Sequence, residues 1–269
     1  MNQSVPSLEL IRAIEQSEID YMYDRMLAIR GRPGNPEGVE IGQFGNALCL
    51  YSRTMHWPSF NTVKGLTSEE IGQIDAILDF YRSFDRTPQF EIVPSRVDRD
   101  LLKALSDRGF YQSGFHASLF TEPMEYPFEP SDSIAIRELR EDEFDQYAAI
   151  HCRGTGLPDN GIPYVSANNR VLYNRPEWKF YMAYVNEQPA AAAVMHMKDG
   201  IASLTFAATL PEYRRLGLHR RLLDRRIADA KRNGCTLAVS QCAFLSQSHR
   251  NMERIGMKIG FLKTLWTGK

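Results

Sequence analysis

Both halves of this chain close on the same succession of elements, and that succession constrains the fold more than any other feature. In the first half the run Phe90-Glu91-Ile92-Val93 reads as a strand, Asp98 to Asp107 as a helix, and Arg108-Gly109-Phe110 leads into a strand reaching about Thr121. In the second, a strand over Thr236 to Gln241 leads to a helix from Ser246 to Arg254, then Ile255-Gly256-Met257 and a strand to Trp266. Glycine just past each helix is the residue that takes the left-handed conformation and turns the chain back toward a sheet. The alternation of short strands and helices predicts an α/β chain. Its shared order predicts an internal repeat of about half the chain length.

At 269 residues the chain exceeds a comfortable single core. The segment from Glu122 to Asp132 carries Pro123, Pro127 and Pro130 without helical or strand periodicity, and reads as an extended linker. A first domain is therefore expected over residues 1–125 and a second over 133–269. Beyond the linker, Ile134, Ile136 and Leu139 fit a strand, and Arg140-Glu141-Asp142-Glu143 opens a helix that runs to about Cys152. In the first half, Ser68-Glu69-Glu70 is a second acidic helix start, continued by Ile71, Ile74, Ile77, Leu78 and Tyr81. The Gly/Pro cluster from Arg30 to Gly38 precedes nothing that reads as a helix and is expected to be a mobile loop.

A formal net charge of −1 argues against a nucleic-acid or acidic-membrane partner. No apolar run approaches the ~20 residues of a membrane helix, and Met1 to Ile14 lacks a signal-peptide profile, so the cytoplasm is the expected compartment. The four cysteines form no C-x-x-C pair and the six histidines show no metal-ligand spacing, so neither disulfides nor a bound metal is expected.

The stretch from Ala207 through Pro211-Glu212-Tyr213-Arg214-Arg215-Leu216-Gly217-Leu218-His219 runs from a small-residue strand through a basic turn into a helix. Ser203 to Thr209 is the strand, and Leu218, Leu222, Leu223, Ile227 and Ala230 follow at helical spacing. The first N–H groups of a helix have no internal partner and carry its positive dipole end, which suits a diphosphate across the turn. Gly217 lets backbone approach such an anion closely.

With Arg214 in the first slot and Gly217 in the fourth, this loop resembles the acyl-CoA pyrophosphate loop of the GNAT (GCN5-related N-acetyltransferase) superfamily, Q/R-x-x-G-x-G/A. His219 stands in the last slot, where the family places Gly or Ala; either the loop opens or the imidazole itself reaches the phosphates. The segment from Ser246 to Met257 resembles the superfamily's last helix and its closing glycine. The resemblance implies a fold of two tandem GNAT-like domains, each a mixed, mostly antiparallel sheet flanked by helices. It implies acetyl-CoA as co-substrate of the second domain, with pantetheine along Ala207, Ala208 and Thr209, a strand N–H near Ala207 polarising the thioester carbonyl, and diphosphate on the amides of Arg215, Leu216, Gly217, Leu218 and His219. Arg214, Arg215, Arg220 and Arg221 would offset phosphate charge, and Asn251 would either touch the pantetheine arm or lie on the helix surface. Arg225, Arg226, Lys231 and Arg232 read as a solvated face. The first half offers only Asn61 to Thr67 where such a loop would stand, so its domain reads as degenerate and without cofactor.

Acid and base are not legible. Many relatives carry a tyrosine where this chain has Met252, and a thioether donates no proton; Ser248, Cys242, a distant tyrosine, or unaided departure of the thiolate remain open. His196 and the acidic residues from Arg140 to Glu143 are the base candidates, and none is assigned. The variable stretch from Leu157 to Pro176 is expected to line a pocket for a small polar amine. The implied activity is N-acetyl transfer to a small metabolite or amino-acid-like acceptor by direct attack. The alternatives are a non-catalytic acyl-CoA-binding regulatory module and a peptide or protein N-acyltransferase.

Overall fold

The structure is a computed structural model that describes residues 6–126 and 133–268. Its elements are α1 (Leu8–Arg30), β1 (Val39–Phe44), β2 (Ala47–Ser52), β3 (Thr62–Lys64), α2 (Ile74–Arg82), β4 (Gln89–Ile92), α3 (Arg99–Asp107), β5 (Phe110–Thr121), β6 (Ile134–Glu138), α4 (Phe144–Thr155), α5 (Ile162–Arg170), β7 (Trp178–Val185), β8 (Gln188–Lys198), β9 (Ile201–Thr209), α6 (Leu218–Arg232), β10 (Leu237–Ala243), α7 (Gln247–Arg254) and β11 (Lys258–Gly268). The repeated strand, helix, glycine and strand fall where the sequence puts them, and Gly109 and Gly256 both have positive φ. Residues 127–132 of the expected linker lie outside the described residues.

The chain forms two compact units that are not contiguous halves. The first takes the chain up to Ser118, Cys242–Ser246 and the chain from Ile259; the second takes Leu119–Gln241 and Gln247–Lys258. The last strand, β11, lies between β4 and β5 in the first unit. It pairs antiparallel with β4 from Thr264↔Ile92 to Thr267↔Gln89. A ladder is made by backbone, which every sequence carries, so side-chain pattern predicts the strand without naming its neighbours.

In the first unit the strands follow the order β1, β2, β3, β4, β11, β5. β1, β2 and β3 pair antiparallel in turn and β3 pairs parallel with β4. Ile74, Ile77 and Tyr81 of α2 and Leu101 and Leu105 of α3 are buried in one core with Val63, Phe90 and Phe110. The parallel pair is bonded only at Thr62↔Gln89 and Val63↔Phe90. The next two residues meet through their side chains instead, Lys64 Nζ lying 2.6 Å from Glu91 Oε2. Lys263 of β11 bonds both Glu91 and Glu18 of α1, and Ser118 donates to Glu18. Burial alone would raise the Glu91 carboxyl, but Lys263 and Lys64 hold it well below the usual carboxylate range. Burial lowers Lys64 against the pull of Glu91, whereas Glu18 and Glu91 outweigh burial at Lys263 and raise it.

The second unit orders its strands β6, β7, β8, β9, β10. Each neighbouring pair is antiparallel except β9 with β10. Adjacent residues of β7 take opposite faces. Phe180 packs edge-on against Phe144 and Tyr147 of α4, and Tyr181 lies under Arg225 of α6. Helices therefore cover both faces of the sheet. Gly154 lets α4 press on the end of β9, since a Cβ there would stand 2.9 Å from the Ala208 methyl. No helix among the described residues is long and apolar enough to cross a membrane.

The charge cluster of the first unit is testable. Glu91→Gln leaves two buried ammonium groups sharing one carboxylate fewer, and should cost about 3–5 kcal/mol in urea unfolding at pH 7. Because the Glu91 carboxyl is depressed on folding, its contribution is present above the ordinary carboxylate range and fades as pH falls below it. The variant's deficit should accordingly shrink in acid.

Candidate functional site

The site begins where two parallel strands part. β9 and β10 bond only at Ile201↔Leu237, Ala202↔Ala238 and Ser203↔Val239, while β9 runs on to Thr209. Past that point Ser240 Oγ reaches the Leu204 carbonyl at 3.0 Å. On its other side β9 stays paired with β8 through Ala193↔Ala207, Ala192↔Ala208 and Ala191↔Thr209, and Leu210 N–H bonds Ala190 O at 2.9 Å. Antiparallel ladders alternate bonded and non-bonded pairs. Counting back from Leu210, Ala208 turns its amide to β8, while Ala207 and Thr209 turn theirs to the side that β10 has left. Backbone donors and acceptors without a strand partner are what a ligand's amide groups can pair with.

The ladder slips between Val194↔Phe206 and His196↔Ser203, so β9 carries a bulge there. Arg226 of α6 reaches under it, donating from Nη1 to Val194 O at 2.9 Å and Phe206 O at 3.2 Å and from Nε to Leu222 O at 3.0 Å. It is 1% exposed, and burial lowers its guanidinium to about 10, still charged at neutral pH. This corrects its placement on a solvated face. Arg226 shares the inward stripe of α6 with Leu222, Leu223 and Ile227, and helical position outranks charge when three carbonyls wait at the end of the side chain. Arg225 is also engaged, with Asp229 and the Ile136 carbonyl, whereas Lys231 and Arg232 are exposed.

After β9 the chain makes one 3-10 turn over Pro211–Tyr213 and then alternates handedness. Arg214 is extended, Arg215 has φ +69° and Gly217 φ +77°, and α6 starts at Leu218 with no side-chain cap and no acid in its first turn. Such a succession presents neighbouring N–H groups in one concavity. Nothing lies within 4 Å of where a Gly217 Cβ would be. Leu218 is buried and pins the loop; Arg214, Arg215, Leu216 and Gly217 are exposed. Of the arginines, Arg214 donates to Gly154 O at 3.1 Å and Arg220 lies 3.7 Å from Asp224. The first unit differs where its corresponding turn begins: the 3-10 turn Ser68–Gln73 that runs into α2 opens on a capping box of Thr67 and Glu70, and Glu70 also accepts from Asn46. That terminus is capped from within.

His219 stands in the first turn of α6, and Asn251 of α7 meets it. Asn251 Nδ2 lies 3.2 Å from His219 Nδ1. The amide's orientation is set by its oxygen, which accepts from Gln247 Nε2 at 2.9 Å and Arg254 Nη1 at 3.4 Å. Its NH2 must then donate to Nδ1, which puts the imidazole proton on Nε2. Burial, with the Arg226 charge, holds His219 down at about 4, so the ring is neutral at pH 7. His219 thus presents a neutral N–H donor in the first turn of α6.

Met252 is buried in α7 and Ser248 is half-buried on it, while Cys242 falls in the first unit. His196 is 2% exposed, its ring 4.8 Å from that of Trp178. Glu143 caps the Arg140 N–H, and Arg137 beside it holds its carboxyl down at about 2, too weak a base to take a proton near neutrality. The sequence reading passed over His151. It stacks on Phe206 of β9, ring centroids 4.1 Å apart and planes 14° from parallel, with Nδ1 3.5 Å from the Tyr147 hydroxyl. Tyr147 and His151, four residues apart on a helix face that also carries Phe144 and Ala148, were the available signal.

Residues 133–257 match the acetyltransferase (GNAT) family model. No curated protein matches by sequence. Among solved structures, a GCN5-related N-acetyltransferase from Kribbella flavida is 17% identical with a TM-score of 0.65, over 91% of this chain and 95% of that one. A tandem GNAT protein from the clavulanic acid biosynthesis pathway is 12% identical with a TM-score of 0.64, over 98% and 97%. A functionally unknown conserved protein from Staphylococcus epidermidis is 13% identical with a TM-score of 0.62, over 84% and 92%. The chain thus has the fold of a tandem GNAT protein, and its residues 133–257 are what matches the acetyltransferase (GNAT) family model.

The state of His219 has a consequence for stability. The unfolded chain takes up its proton near ~6.5, whereas the folded chain waits until about 4. The folded state is therefore favoured fully above the higher value and loses up to about 3 kcal/mol as pH falls through the interval. Urea titrations of wild type and His219→Gln between pH 4 and 7 should show that slope in the first and a shallower one in the second.

Proposed function

We propose that the second unit, where residues 133–257 match the acetyltransferase (GNAT) family model, binds acetyl-CoA along β9 and at the start of α6, and transfers the acetyl group to the amine of a small polar metabolite by direct attack. The observation that carries this reading is the parting of β10 from β9 beyond Ser203↔Val239, beside outward-turned amides that lead straight into an uncapped helix start.

Bound there, acetyl-CoA supplies an activated thioester. The amides of Ala207 and Thr209 pair with its pantetheine arm, as a neighbouring strand would. The Ala207 N–H lies where a donor can stabilise an oxyanion, fixed in direction by the ladder with β8 and by Arg226 under the bulge. The N–H groups from Arg215 to Leu218 and the Nε2–H of His219 meet the diphosphate, Arg215 adding charge. Met252 donates no proton, so the thiol, whose pKa is near ~8.5, leaves as thiolate and collects its proton afterwards. The acceptor lies on the α4 and α5 face, where Asn168 and Asn169 are buried polar groups and Tyr164 is exposed. The first unit, whose helix start is capped by its own Glu70, takes no acetyl-CoA in this reading.

Calorimetry decides the cofactor, and thiol release decides the turnover. Wild type should bind acetyl-CoA at one site; Gly217→Glu should lose binding by 100-fold or more (about 3 kcal/mol) through repulsion of the diphosphate. Gly217→Asn, which tolerates the left-handed backbone, should bind within about 10-fold of wild type. Amine-dependent release of free thiol establishes transfer. Tight binding with no release from any amine favours the second reading, an acyl-CoA-sensing module, which the methionine at position 252 keeps in view.

A further inference from the structure

We propose that Arg226 is a positioning residue of the transfer: by hydrogen-bonding the Phe206 carbonyl, its guanidinium polarises the peptide whose other end is the Ala207 N–H, and so strengthens that N–H as a donor to the thioester oxygen. The proposal rests on the acetyl-transfer reading and gives a buried charge the role that packing leaves open.

The charge is what needs a reason. Arg226 is 1% exposed, on the stripe of α6 that also buries Leu222, Leu223 and Ile227. An apolar side chain would fill that stripe without the desolvation cost of a guanidinium. Among the described residues no carboxylate bonds Arg226; its hydrogen bonds go to the carbonyls of Leu222, Val194 and Phe206. Burial lowers the group to about 10, which leaves it charged at neutral pH. A buried charge without a bonded counter-charge acts on the dipoles it touches, and in a low dielectric it acts strongly.

Two of those dipoles belong to the bulge. Nη1 lies 2.9 Å from Val194 O and 3.2 Å from Phe206 O, where the register between β8 and β9 slips. Phe206 pairs with Val194, and its carbonyl faces β8. The carbonyl of one residue and the N–H of the next are opposite ends of one planar trans peptide. The Ala207 N–H therefore points away from β8, to the side that β10 has left, in agreement with the count back from Leu210. Guanidinium and ligand stand at the two ends of a single conjugated group. Drawing electron density to its oxygen leaves the N–H proton more positive; a charge-assisted hydrogen bond is about twice as strong as a neutral one, and hydrogen bonds in series polarise one another. The next outward N–H, at Thr209, belongs to a peptide whose carbonyl, that of Ala208, accepts from no side chain among the described residues. The effect is confined to Ala207.

The step it serves balances as follows. The lone pair of a neutral amine forms the C–N bond while the carbonyl π pair moves to oxygen, and the negative charge that appears there faces the Ala207 N–H. When the pair returns, the C–S bond breaks with its electrons on sulfur. The nitrogen's surplus proton passes to the thiolate through water, giving amide and free thiol. A stronger donor favours the oxyanion over the neutral thioester, so Arg226 acts on kcat rather than on affinity.

Infrared spectra of acetyl-CoA carrying ¹³C at its thioester carbonyl, bound to the full-length protein, read the polarisation without turnover. The carbonyl band should move to lower wavenumber on binding to wild type, return toward its free position in Arg226→Met, and lie between the two in Arg226→Lys, which keeps a charge on a shorter reach. With tyramine, spermidine and lysine as acceptors and thiol release as the readout, Arg226→Met should lower kcat on the order of 10-fold, less than the roughly 10²–10³-fold of losing a direct oxyanion donor. Acetyl-CoA affinity should stay within about threefold of wild type, and Arg226→Lys should recover part of the rate. A band that does not move when wild type binds overturns the proposal, and that arm holds whether or not the variants fold. A band at the same position in wild type and Arg226→Met, or a rate loss carried entirely by affinity, also overturns it while leaving acetyl transfer intact. Failure of wild type to bind acetyl-CoA, or to release thiol with any of these amines once bound, overturns the acetyl-transfer reading on which the proposal rests.

Discussion

Everything proposed for this protein depends on a pair of parallel strands that stop bonding. A sheet ordinarily satisfies the backbone of every inner strand on both sides. Here β9 keeps its partner β8 and loses β10 after Ser203↔Val239, which leaves Ala207 and Thr209 addressing a gap. The gap is held by a charge from behind: the Arg226 guanidinium bonds the Val194 and Phe206 carbonyls where the register slips. The first unit breaks its parallel pair in the same place in the repeat, after Val63↔Phe90, and fills the break with Lys64 and Glu91. One interruption is left open and the other is closed by an ion pair.

A second theme is that amides decide the chemistry of rings. Asn251, with its oxygen held by Gln247 and Arg254, leaves His219 an N–H donor at Nε2. Asn169, with its nitrogen held by Val165, turns its oxygen to the Tyr147 hydroxyl.

Much of this was legible beforehand, because it is written locally. Strand, basic turn and helix from Ser203 onward follow from alternation, Pro211 and a 3.6-residue period, and the left-handed Gly217 follows from the turn that glycine permits. What escaped depends on through-space partners. Arg226 was assigned by its charge, when its spacing from Leu222 and Leu223 already put it on the buried stripe. The stacking partner of His151, Phe206, lies fifty-odd residues on, out of reach of any local pattern. The company kept by β11 was unreadable for a simpler reason: any strand can add to any open ladder.

That last strand also sets an order of events. Lys263 of β11 is the counter-charge to Glu18, 245 positions earlier, and to Glu91, 172 positions earlier. During synthesis the first unit leaves the ribosome with β4 and β5 lacking the strand that will lie between them and with its carboxylates short of an ammonium. Loop closure over such a span is slow relative to local contacts, and unpaired edges invite wrong partners in the interval. The part of this protein that is made first is therefore the part that finishes last, and its native state waits on residues translated after the whole of the second unit.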